Sequence, residues 1–102
     1  MKRKVIFAPE AKDDLFALYA YISEHSGPQR AINYIGRIER FCLGFDVAGE
    51  RGTRRDDLQP GLRIVGFERR VTIAFHVEPG IVTIDRVLYG GRDVDGILGD
   101  DS

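Results

Sequence analysis

Three β-branched and aromatic runs, "LRIVGF" (62–67), "RVTIAFHV" (70–77) and "GIVTIDRVLY" (80–89), follow one another with only two residues between them. Breaks of that size, Glu68-Arg69 and Glu78-Pro79, are hairpin turns, so consecutive strands pair antiparallel. In the middle run Val71, Ile73, Phe75 and Val77 alternate with Thr72, Ala74 and His76, as a sheet with one face on a core requires. Such a meander leaves an apolar face that the rest of the chain has to cover.

The first half supplies the cover. "RKVIFA" (3–8) is a short apolar run closed by Pro9 and reads as a first strand. Pro9 suits the opening turn of a helix, and Glu10, Asp13 and Asp14 put negative charge where the helix dipole is positive. Along this helix Ala11, Leu15, Leu18, Tyr19 and Ile22 recur at helical spacing. Gly27 ends it and Pro28 begins a second helix, to about Phe45, with Ala31, Ile35, Ile38, Cys42 and Phe45 on one stripe. Two amphipathic helices joined by so short a break form an antiparallel hairpin. Residues 48–61, "AGERGTRRDDLQPG", read as a glycine- and charge-rich loop. The expected fold is α+β in the order β-α-α-β-β-β: a mostly antiparallel four-stranded sheet with a two-helix hairpin on one face.

A chain of 102 residues is expected to form one domain over 1–102, with a short acidic C-terminal tail at about 93–102. The start of the chain has no apolar core of signal-peptide length, and no run reaches the length of a membrane span. A cytoplasmic location and no membrane partner are the expectation. Cys42, the single cysteine, lies on an apolar helical stripe and reads as a core thiol. His25 and His76, far apart, give no ligand spacing, so neither metal nor other cofactor is expected.

A net charge of −1 argues against a chain that coats nucleic acid, and no direct DNA binding by the chain alone is expected. Of fifteen basic residues, twelve are arginine, and eight of these lie between Arg51 and Arg92. Guanidinium groups suit bidentate pairing with carboxylates or phosphates.

Among residues that can do chemistry, His76 alternates away from the apolar face and has no serine or cysteine near it. It reads as a polar sheet-face histidine rather than a general base. Arg86 falls by alternation on the face of Val82, Ile84 and Leu88, where a charge must be paired. An ion pair to Glu10, Asp13 or Asp14 is expected. Arg51, Arg54 and Arg55 stand beside Asp56 and Asp57, which predicts local charge compensation. In "DLQPGLR" (57–63) a Pro-Gly turn feeds straight into a strand and gives Arg63 a defined position.

"APEAKDDL" opening the first helix, "DLQPGLR" entering the second strand and "RVLYGGRD" closing the last resemble the RelE/ParE toxins of bacterial type II toxin–antitoxin pairs, over residues 4 to 95. RelE-like members cut messenger RNA on the ribosome without metal, using strand-borne cations and usually a tyrosine or histidine near the C-terminus. ParE-like members lack that set and are associated with inhibition of DNA gyrase through binding. Here "DVDGILGDDS" after Arg92 has no tyrosine, histidine or lysine, and Thr72 stands where RNase members have a basic residue. Tyr89 precedes the Gly-Gly turn, a different place from the family's base. The three motifs look most like the ParE branch.

That resemblance implies a non-enzymatic toxin that inhibits gyrase and is neutralised by a ParD-like ribbon-helix-helix antitoxin, whose flexible C-terminal segment wraps the helix hairpin and adds to the sheet. Antitoxin contacts are expected at Phe16, Tyr21, Arg54, Arg55 and Arg63, and target contacts at Tyr89 and Arg92. The alternatives are a RelE-like endonuclease using Arg63, Arg86 and Arg92, and a toxin fold without toxicity that serves only as an antitoxin-binding partner.

Overall fold

The computed structural model describes residues 2–90 and 94–99. Strand β1 (Lys4–Phe7) leads into α1 (Pro9–Ser26) and α2 (Pro28–Leu43), followed by the single turn α3 (Phe45–Ala48). Then come β2 (Thr53–Arg54), β3 (Leu62–Phe67), β4 (Val71–Glu78), β5 (Ile81–Tyr89) and the short helix α4 (Val94–Gly99). The sheet order is β1-β5-β4-β3-β2, with β1 parallel to β5 and every other pairing antiparallel.

Each break has a local cause. Prolines stand in the first turns of α1 and α2, where their missing N–H leaves no bond unmade. Gly27 adopts φ +96°, a conformation that L side chains rarely take, and its N–H donates to Ser23 O at 3.0 Å to close α1.

The sheet has five strands rather than the expected four. The extra one, β2, lies inside the stretch read as a loop and was invisible to periodicity because only Thr53 and Arg54 pair, with Ile64 and Arg63. Gly52 makes it possible: at φ +74° a Cβ there would sit 2.2 Å from Ile64 O. No side chain fits so close an approach.

One core lies between the helix hairpin and the sheet. Leu15, Leu18, Ile38, Cys42 and Phe45 meet Ile73, Phe75, Val82, Ile84 and Val87, all buried. Phe45 is wholly enclosed, with its ring centroid 4.7 Å from that of Phe75 and 5.3 Å from that of Phe41. The expected helical stripes are the buried faces, Tyr19 and Ile22 at their margins. A second, smaller core occupies the opposite face, where Leu98 of α4 buries against Leu62, Ala74 and Leu88. Part of the acidic C-terminal stretch is thus a packed helical turn.

The alternation expected for β5 breaks in the middle. Ala74 pairs with Arg86 but Phe75 pairs with Ile84, so Asp85 is an extra residue opposite the 74–75 link. Val82 and Ile84 face the helices, Val87 takes over that side, and Leu88 faces the second core. Placing Arg86 with Val82 and Ile84 by simple alternation is therefore incorrect. The bulge inverts the parity that such counting relies on.

Candidate functional site

The C-terminal end of α1, the start of α2, the β3–β4 turn and the end of β5 enclose a groove of about 620 Å3. Tyr21, Tyr34 and Tyr89 supply aromatic surface, with Tyr89 centred 6.0 Å from Tyr21 and 6.4 Å from Tyr34. Arg30, Arg37 and Arg70 supply charge, and Glu68 is the one acid among the lining residues.

The wall is braced across the sheet–helix boundary. Arg37 of α2 donates from Nε and Nη2 to the two oxygens of Glu68, at 3.0 and 3.1 Å. Its guanidinium also lies 5.0 Å from the centre of the Tyr34 ring, in cation–π range. The Arg37 bond holds the Glu68 carboxyl below its usual range. Burial, followed by the charge of Glu68, pushes the Tyr34 hydroxyl up, so it stays a neutral donor at physiological pH. Arg30 and Arg70 make no side-chain hydrogen bond or ion pair with any described residue.

The turn carrying Glu68 is unusual. Glu68 and Arg69, the first two of three residues between the paired Phe67 and Val71, both have positive φ, +49° and +66°. Asn-Gly is the favoured filling there; a Glu-Arg pair is strained by the Cβ–carbonyl contact of left-handed backbone.

The expected site residues fall into separate places. Phe16 and Tyr21, both on α1, are 75% and 51% exposed. Tyr21, expected at an antitoxin contact, and Tyr89, expected at a target contact, line the same groove. Arg54, Arg55 and Arg63 lie instead on the β2–β3 edge. There Arg54 pairs with Asp56, and Arg55 with Asp57 and Asp95. Arg63 donates to Arg51 O at 3.2 Å. Arg51 lays its guanidinium 4.7 Å from the Phe45 ring centre. Arg92 lies outside the described residues.

Arg86 has the partner expected of it. Its Nε and Nη2 donate to the two oxygens of Asp14 at 2.8 and 3.0 Å, and Val87 N–H donates to Asp14 Oδ2 at 2.9 Å. β1 covers the edge of β5 only as far as Ile84, whose carbonyl accepts from Ala8. Beyond that point Asp14 serves as the missing neighbour. His76 presents Nδ1 to Asp85 Oδ2 at 2.5 Å and Nε2 to Pro60 O at 3.2 Å. Both ring nitrogens are thus within hydrogen-bond distance of an oxygen of the protein itself. The bulge residue Asp85 has its carboxyl pushed up by burial, with His76 pulling it back.

The groove residues Arg30, Tyr34, Arg37, Glu68 and Arg70 carry no sequence motif. One signal was available: a short hairpin break without glycine or asparagine. Among the described residues no group of three or more His, Cys, Asp or Glu is placed to hold a metal, and no helix is long and apolar enough to cross a membrane.

Comparison with known proteins bears on the whole chain. A solved structure described as the chromosomal ParDE toxin–antitoxin system from P. aeruginosa superposes with a TM-score of 0.76, covering 87% of this chain and 97% of that one. At 22% sequence identity, this likeness establishes the fold. No curated protein sequence matches. The family model for the ParE toxin of the type II toxin–antitoxin system parDE matches residues 5–94. By that match, which spans most of the sequence, the chain belongs to the ParE toxin family.

Proposed function

We propose that the chain is a toxin that arrests its host by binding DNA gyrase and is held inactive by a ParD-like antitoxin. Family membership carries the reading, and the arrangement of the chemical groups supports action by contact rather than catalysis. Cleavage of RNA by a metal-free site needs a free base and cations converging on one phosphate. His76 has both nitrogens engaged, Arg86 is taken up by Asp14 at one edge of the sheet, and Arg63 lies across β4 on another strand. The ribonuclease alternative therefore has less support among the described residues.

The antitoxin reading draws on surface that the fold leaves uncovered. Phe16 and Tyr21 stand out from α1, and β2 covers β3 only at Arg63 and Ile64, leaving Val65 to Phe67 without an outer neighbour strand among the described residues. A flexible partner segment can use both, laying apolar side chains on the helices and adding a strand to the edge.

Supercoiling of relaxed plasmid by purified gyrase, with and without the chain, tests the target. Inhibition that added antitoxin reverses is the expected result. Unimpaired supercoiling, together with messenger RNA cleavage on programmed ribosomes, would replace this reading with the ribonuclease one.

A further inference from the structure

The imidazole of His76 has more oxygen around it than a neutral ring can bond. Its Nδ1 lies 2.5 Å from Asp85 Oδ2 and its Nε2 lies 3.2 Å from Pro60 O. A neutral imidazole owns a single N–H, and a carboxylate and a carbonyl have none to give. Two hydrogen bonds along the chain Asp85–His76–Pro60 therefore need two protons. A charged imidazole supplies both, and so does a carboxylic acid on Asp85 beside a neutral ring protonated at Nε2. Either way the pair holds one proton more than a carboxylate next to a neutral imidazole.

The surroundings favour the extra proton. The carboxyl of Asp85 is pushed up by burial, with His76 pulling it back. Glu10 of α1 and Glu78 at the end of β4 push it up again. In the neighbouring turn Asp56 pairs with Arg54, and Asp57 with Arg55, which also reaches Asp95 of α4. A raised carboxyl gives stability that is complete below its ordinary value of 3.8 and is lost as pH climbs through the raised one. Proton loss from the pair is one shared step rather than the property of either residue.

What the bond to Pro60 holds is a turn with wider reach. A Cβ on Gly61 would sit 3.5 Å from His76 Cδ2, so the turn lies against the imidazole. Gly61 N–H donates to Asp56 at 2.7 Å, and Gln59 Nε2 donates to Leu98 O of α4 at 2.7 Å. Leu58 packs on the second core that Leu98 helps to form.

We infer that His76 and Asp85 form a proton-loaded clasp, closed in acid and opened in base, that fixes the 57–61 turn and through it α4. When the proton leaves, Nδ1–H stays with the Asp85 carboxylate, and the Nε2 lone pair then faces the Pro60 carbonyl. Two electron-rich atoms repel, and the turn is released. The clasp belongs to the fold itself and stands apart from the identity of the toxin's target.

The test uses the full chain carrying His25→Gln, so that the His76 ring is read without overlap. Long-range proton–nitrogen NMR correlation from about pH 5 to about pH 9 spans the range in which imidazoles titrate. It should show Nε2 protonated at the acid end and bare at the alkaline end, with Nδ1 still protonated there. Over the same span, protection of the Gly61 and Leu62 amides against hydrogen exchange, corrected for intrinsic rate, should fall about tenfold or more. Protection of the Val87 amide, bonded to Asp14, should stay level.

Asp85→Asn separates the clasp from general loosening. Its amide can donate to Nδ1 while Nε2–H keeps Pro60 O, so both bonds form without an extra proton. This variant should hold its turn protection at the alkaline end. If Asp85→Asn impairs folding, His76→Gln is read in its place and should show no pH response in the turn. Level turn protection in the parent chain, a neutral ring protonated at Nε2, or the parent's pH response persisting in the folded variant would each overturn the inference.

Discussion

Asp14 and Arg86 stand 72 residues apart in the chain and meet in a two-pronged hydrogen bond where β5 loses its neighbour strand. The same carboxylate accepts from Val87 N–H, so one side chain satisfies both a guanidinium and an orphaned strand amide. Asp14 is only 10% exposed, which makes this a tie between helix and sheet rather than a surface pair. Replacing Asp14 by alanine leaves Arg86 unpaired and the amide unmet, and should cost about 3 kcal/mol of unfolding free energy. Urea denaturation measures it, and Arg86→Met/Asp14→Leu should recover part of the loss.

The β3–β4 turn predicts a substitution with the opposite sign. Arg69 holds φ +66°, so glycine there relieves left-handed strain. Part of that gain is returned through the greater freedom of glycine in the unfolded chain. Arg69→Gly should raise stability by roughly 1 kcal/mol and the melting temperature by about 4 °C or more. A thermal melt followed by circular dichroism decides it; a lower melting temperature would mean the turn is not strained.

Cys42 should be inert until the chain unfolds. It has no exposed surface, and burial pushes its thiol up to about 12. A thiolate-specific reagent at pH 8 should leave the folded protein unmodified and titrate one thiol in denaturant. Since the folded pKa is raised, the folded state keeps a proton that the unfolded thiol gives up near its ordinary value of 9.0. Stability from this group is complete below pH 9 and falls as pH rises from there toward 12. Unfolding free energy measured across that window should decline where a Cys42→Ala variant does not show the same term.

The C-terminal turn offers a packing test. Leu98 is buried against Leu62, Ala74 and Leu88 on the face of the sheet away from the hairpin. Leu98→Ala should cost about 2–3 kcal/mol, and the same change at exposed Leu43 much less. Similar losses at the two positions would mean that α4 does not pack as described.

Much of this fold was legible in the sequence because its signals are local. Short breaks between apolar runs set the meander, and Gly27 with Pro28 set the helix hairpin. The β3–β4 turn, however, holds three residues, Glu68 to Arg70, and the β4–β5 turn is Pro79-Gly80. The bulge at Asp85 was hidden because an alternation count has no way to register an inserted residue. β2 was hidden because a two-residue pairing made possible by Gly52 has no period. Arg86 found a first-helix acid as charge burial required, though on different reasoning about its face. The groove was hidden for another reason: Tyr21, Tyr34, Arg70 and Tyr89 come from four separate elements, and only tertiary structure brings them together.

Arrest through contact fixes the stoichiometry of gyrase inhibition. Binding of the chain to purified gyrase and loss of supercoiling should be measured in one titration. A toxin acting by contact predicts that inhibition follows the bound fraction and that supercoiling returns when antitoxin strips the chain away. Complete arrest at a small fraction of the gyrase concentration, or supercoiling that stays intact at saturating chain, would contradict it.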